Sequence, residues 1–130
     1  MATQANLFTH TKQFIRDYGL NGVGLQLALL DSSYTFSAAH TLFATMSSAE
    51  ISGSGYTSGG EILTFDVGAD GTVDADNVVW SSATMTFRAG LLYISGTHGG
   101  LTDPVLAYYL YDDTPADVSV TNTDFTHIWS

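Results

Sequence analysis

Apolar and small polar residues alternate from Trp80 to Phe87, the period of a strand with one buried face. Past Gly90 the alternation gives way to Leu91-Leu92-Tyr93-Ile94, which reads as a strand covered on both faces and therefore central. The other elements are expected to be arranged to cover it. Residues 5–18 carry Leu7, Phe8, Thr11, Phe14, Ile15 and Tyr18 at helical spacing, with Lys12 and Arg16 on the polar side and Gly19 and Asn21-Gly22 as stop signals. A strand is predicted over 23–30, closed by Asp31-Ser32-Ser33. The stretch 34–46 is ambiguous, although Leu42, Phe43 and Met46 have helical spacing.

Residues 51–60 are rich in Gly and Ser and predict a mobile or irregular loop whose aromatic residue is Tyr56. Residues 61–67 alternate, with Ile62, Thr64 and Asp66 on one face and Leu63, Phe65 and Val67 on the other, and Asp70-Gly71 signals a hairpin into 72–80. Residues 96–104 read as a loop around His98, and 105–111 as an apolar, aromatic strand. Residues 117–120 and 125–129 read as a closing pair with Asn122 between them. Short strands with turn signals roughly every 8–12 residues predict a mainly β chain: one domain over 1–130, a β-sandwich or small, jelly-roll-like barrel with one N-terminal helix.

Charge changes the picture more than size does. Three Lys and Arg face thirteen Asp and Glu, a formal net charge of −10. Phosphate contact relies on basic residues, so nucleic acid is not an expected partner, and anionic membranes are disfavoured for the same reason. A basic protein partner fits. There is no Cys, which excludes disulfide, thiol-nucleophile and Cys-zinc chemistry. No apolar run approaches the ~20 residues of a membrane span, and no signal peptide is read at the N-terminus. Synthesis in a cytoplasm is therefore expected.

Candidate chemistry is thin. The stretch 66–77 offers Asp66, Asp70, Asp74, Asp76 and Asn77 to a hard cation, but Gly68 and Asn77 occupy positions where a calcium loop needs ligands, so a hairpin with solvated carboxylates is expected. His10, His40, His98 and His127 fall on four different elements without metal spacing, and His127 is expected at a surface or interface. Asp74 and Asp76 face the same way on a strand, with Trp80 on that face if the strand is regular, the single hint of a glycoside site. Gly53-Ser54-Gly55 lacks the spacing of a nucleophile elbow. No catalytic, metal or cofactor residue is assigned. Among the aromatic residues, alternation groups Tyr109 with Tyr111 and Tyr108 with Leu110. One set is expected in the core; the other, with Phe125 and Trp129, is free to serve an interface.

Four pieces carry a resemblance: 27–36 (LALLDSSYTF), 49–60 (AEISGSGYTSGG), 73–80 (VDADNVVW) and 124–129 (DFTHIW), with a leading helix before the first. In that order they resemble a family of small virion structural proteins of tailed bacteriophages, over nearly the whole chain. Family members commonly run on past the final Trp motif and carry more Lys. The resemblance implies no catalytic residues. It implies a non-enzymatic protein of the capsid surface, a decoration (cement) protein that binds the major capsid protein and strengthens the head. Self-association, for instance as a trimer, is expected with it. The helix with Lys12 and Arg16 and the loop 51–60 with Tyr56, ordering on binding, are the candidate contacts, together with Tyr109, Tyr111, His127 and Trp129. The alternatives are a tail, collar or fibre-associated component and, from another class, a carbohydrate-binding β-sandwich module.

Overall fold

A computed structural model describes residues 4–19, 24–63, 65–67, 73–111 and 117–127. In chain order the elements are β1 (Gln4–Leu7), α1 (Thr11–Tyr18), β2 (Gly24–Leu30), β3 (Glu61–Ile62), β4 (Phe65–Val67), β5 (Val73–Ala75), β6 (Val78–Phe87), β7 (Ala89–Ser95), β8 (Thr97–His98), β9 (Leu101–Thr102), β10 (Val105–Leu110) and β11 (Val118–His127). Two short 3-10 turns, Phe43–Thr45 and Ser47–Ala49, lie between β2 and β3. The chain is mainly β with one α-helix among the described residues, as its patterning predicts.

The continuous apolar run becomes β7, the middle of a five-stranded antiparallel sheet ordered β1-β10-β7-β2-β3. Both faces of this sheet are covered. On one face Leu25, Leu27, Leu29, Ile94, Leu106 and Tyr111 pack with Trp80, Ala83, Met85 and Phe87 of β6 in one buried cluster. β6 pairs with β11 in a separate two-stranded sheet, so this cluster is the filling of a sandwich. On the other face Ala28, Leu30, Leu91, Tyr93, Tyr108 and Leu110 form a second cluster, roofed by Phe8, Met46, Ala49 and the irregular segment around Tyr34, Phe36 and Phe43. Phe43 stacks on Tyr93 with centroids 4.5 Å apart, and Phe36 on Tyr108 at 5.1 Å. The two 3-10 turns thus fix a roof where the sequence is ambiguous.

The corner from β6 to β7 is tight, and Arg88 N donates to Leu30 O at 2.8 Å across it. β6 itself is not regular. Trp80 and Phe87 are seven residues apart and would face opposite ways in an unbroken strand, yet both are fully buried. A bulge reconciles them: Ser82 adopts φ +48°, and its N–H donates to an Asp124 carboxylate oxygen at 2.7 Å. The register with β11 slips at the same level, where Asn122 has φ +46° and donates from its N–H to Thr84 Oγ1.

Three expectations are corrected. The helix covers eight residues, not 5–18, because residues 4–7 instead cap the open edge of β10, with Ala5 opposite Tyr109 and Leu7 opposite Ala107. A helix there would leave that edge of the sheet without partners. Residues 117–120 and 125–129 read as a closing pair, but among the described residues Val118–His127 is one strand, β11, with a bulge at Asn122. And 61–67 splits into β3 and β4, on different sheets. The expected hairpin does form, with Val67 opposite Val73, although its turn lies outside the described residues.

Candidate functional site

The loop 51–60 is irregular as expected, and it is tied to β2, β6 and β7 by hydrogen bonds and close backbone contacts. It runs from β2 across to β6 and back, closing one side of the sandwich. At its far point Ser54 bridges to Thr84 of β6, and a Cβ on Gly53 would lie 2.7 Å from Thr84 O. At its end Gly60 adopts φ +88° with its Cα against β2, where a Cβ would overlap the Leu27 carbonyl.

Beneath the loop sits a hydrogen-bonded cluster. One Glu50 carboxylate oxygen, Oε2, accepts from Tyr56 Oη at 2.5 Å and from Gly59 N–H at 2.6 Å. Tyr56 Oη in turn accepts from Leu29 N–H at 3.1 Å. Tyr93 Oη lies 2.5 Å from Gly59 O and 2.6 Å from the Gln26 side-chain amide. Both partners are acceptors, Gly59 O and Gln26 Oε1, so the single phenol proton is shared between them. Burial, reinforced by the hydrogen bond to Glu50, pushes the Tyr56 phenol well above its usual range, and burial does the same to Tyr93. Both are neutral donors at any physiological pH. Tyr56 therefore acts as a staple inside the fold. The sequence signal for it is present in hindsight: one acidic residue, Glu50, at the mouth of a loop with one phenol.

The Tyr109, Tyr111 and His127 group is also internal. Alternation does place Tyr109 and Tyr111 on one face and Tyr108 and Leu110 on the other; both faces pack against core clusters, with Tyr109 half-buried. Tyr111 and His127 are buried and share a hydrogen bond between Oη and Nδ1 at 2.8 Å. His127 was expected at a surface; it is instead fully enclosed, because β11 lies over the sheet's aromatic face and brings it against Tyr109 and Tyr111. Burial pushes its imidazole down to about 4 and the Tyr109 phenol up to about 12. Trp129 lies outside the described residues.

The other histidines serve similar ends. His10 Nε2 is 2.7 Å from Val105 O, His40 Nδ1 2.8 Å from Tyr34 Oη, and His98 Nε2 3.0 Å from Gly19 O. In the β4–β5 hairpin Asp66 stands opposite Asp74. Asp70 lies outside the described residues, and among those described no group of three or more acidic or histidine side chains is placed to hold a metal ion. Trp80 is fully buried and offers no platform beside the exposed Asp76.

Lys12 and Arg16 are exposed on α1, as the helical spacing predicts. A groove of about 540 Å³ runs along a different stripe of that helix, between Gln13, Phe14, Asp17 and Tyr18 and the turn at 38–41. Neither cation lines it. A smaller hollow of about 270 Å³ opens between β3 and the start of β6. No family model, curated protein or solved structure matches the chain.

Proposed function

We propose that this chain is a non-enzymatic structural protein of a bacteriophage virion, a decoration protein that clamps neighbouring copies of the major capsid protein. One observation carries the reading beyond the sequence resemblance. Several polar side chains are committed to the chain's own backbone: Glu50 to Gly59, Tyr56 to Leu29, Tyr93 to Gly59, His10 to Val105, and Thr11 Oγ1 to Leu106 O at 2.6 Å. Groups committed in this way make the domain stiff. A stiff domain loses little freedom on docking, which favours a clamp. Binding the assembled lattice but not its dissociated parts stabilises the lattice by mass action, and self-association multiplies weak contacts. The charge agrees with a basic protein partner. Of the three basic residues, Arg88 pairs with Asp117 at 3.0 Å and the other two lie on α1, leaving an acidic surface.

Quantitative mass spectrometry of particles purified through successive density gradients tests the proposal. The expected result is a copy number near that of the capsid protein and density for this fold on the head surface. Absence from the particles, or confinement to tails, overturns it. Binding of free glycans by the isolated chain would favour the sugar-binding alternative.

A further inference from the structure

β3 is the outermost strand of the five-stranded sheet, paired through Ile62 to Gln26 and through Glu61 to Leu27. Its outer side has no strand beside it among the described residues. The chain then turns inward. Leu63 is buried, its N–H donates to Leu25 O at 2.9 Å, and it joins Val78 in the sandwich core. That inward pair dictates an outward one. Ile62 precedes Leu63 and Val79 follows Val78, so alternation turns both to solvent: Ile62 is 75% exposed and Val79 44%. Between them the 270 Å³ hollow is edged by Glu61, Asp76 and Asn77, and no Lys or Arg is among the described residues that line it.

Single exposed apolar residues are ordinary, but two on adjoining strands around a hollow with carboxylates at its rim form a composite surface. Its chemistry is specific: a mainly polar hollow with two carboxylates and an amide in its lining, and two exposed aliphatic side chains, Ile62 and Val79, beside them. A segment that lays the methylene stem of a Lys or Arg across Ile62 and Val79 places the cationic head at Glu61 and Asp76. A second copy of this chain is a poor occupant of this acidic patch, because it carries only three Lys and Arg, of which Arg88 is paired with Asp117. We infer that the patch formed by Glu61, Ile62, Asp76 and Val79 is a docking site for a basic, aliphatic segment of a protein partner. On the reading above, on which the partner's identity rests, that segment belongs to the capsid lattice.

The test uses the full chain, labelled with ¹⁵N, and a synthetic peptide alternating Arg with Val and Ile as probe. A peptide with Glu in place of Arg is the control. Amide shifts are expected at residues 61–63 and 76–80 with the basic peptide only. Ile62→Asp and the double change Glu61→Lys, Asp76→Lys should each weaken binding tenfold or more while leaving the remaining amide spectrum in place. Asp17→Lys in the α1 groove should change it less than twofold. Shifts centred on the α1 groove, equal response to the acidic peptide, or no shifts at millimolar peptide overturn the inference. Peptide binding here by a chain absent from particles would sink the virion reading and leave the site. Particles that retain an Ile62→Asp variant at full copy number would sink the site and leave the virion reading.

Discussion

The strap 51–60 and Ile62, which together with Val79 forms an exposed aliphatic pair, are neighbours in sequence and opposites in structure. The strap is rich in Gly and Ser, a composition associated with mobile loops, yet its groups are tied inward: Gly59 to Glu50 and Tyr93, Ser54 to Thr84, Gly60 against Leu27. Ile62 and Val79 are β-branched apolar residues, a composition associated with cores, and they face solvent. The difference teaches what each composition is for. Glycine in the strap permits backbone to approach backbone where a side chain would not fit. The aliphatic pair stays outside because strand alternation has already given the inner positions to Leu63 and Val78.

The hardest way to break the contrast is Gly60→Ala. The new Cβ overlaps the Leu27 carbonyl, which belongs to a central strand and has little room to yield, and φ is +88°. A loss of about 3 kcal/mol or more is expected in urea unfolding, well above that of an ordinary loop substitution. A loss under about 1 kcal/mol would mean that the strap is loose and that its glycines are linker glycines after all.

How much of this was readable beforehand follows the same division. Period-two alternation exposed β6 and the hairpin, and an unbroken apolar run marked β7 as central, because those signals are local. The sequence of residues 4–7 looks helical and is a strand, since the deciding factor, the open edge of β10, lies a hundred residues away. Tyr111 and His127 looked available for a partner because nothing local says that both faces of β10 are covered. Ser82 and Asn122 are small polar residues in strands, and only their paired bulges show why Trp80 and Phe87 share a face. In the candidate site, Tyr56 bonds to Glu50 and Tyr111 to His127, pairings between distant positions that no local pattern announces.

The interior can be probed without touching the strap, through pH. His127 is neutral when folded, with a pKa of about 4, against an ordinary value near 6.5 for an exposed imidazole. The unfolded chain takes up this proton first, so stability is fully present above about pH 6.5 and is lost as pH falls toward 4. Allowing for solvent screening, the loss is on the order of 2 kcal/mol. His127→Asn keeps a hydrogen-bonding partner for Tyr111 but does not titrate. The expected observation is a urea midpoint that falls between pH 7 and pH 4.5 in the parent chain and falls measurably less in the variant. Equal slopes would place His127 in contact with water and would weaken the account of β11 as the lid of the aromatic face. Protonation of the thirteen carboxylates affects both proteins alike and cancels in the difference.

The smallest expected effect is the most informative about function. Ile62→Ser removes an aliphatic side chain from an exposed edge, where β-propensity and burial contribute little, and should shift folding stability by less than about 0.5 kcal/mol. Leu63→Ala, one residue on, removes a buried side chain and should cost about 2–4 kcal/mol. Measured side by side in urea, the two substitutions should differ severalfold despite adjacent positions and similar chemistry. If Ile62→Ser were as costly as Leu63→Ala, Ile62 would be serving the fold, and its exposure could not be read as a surface kept for a partner. If it is nearly free, folding alone does not account for an isoleucine at that edge, and selection for something bound there becomes the simpler explanation.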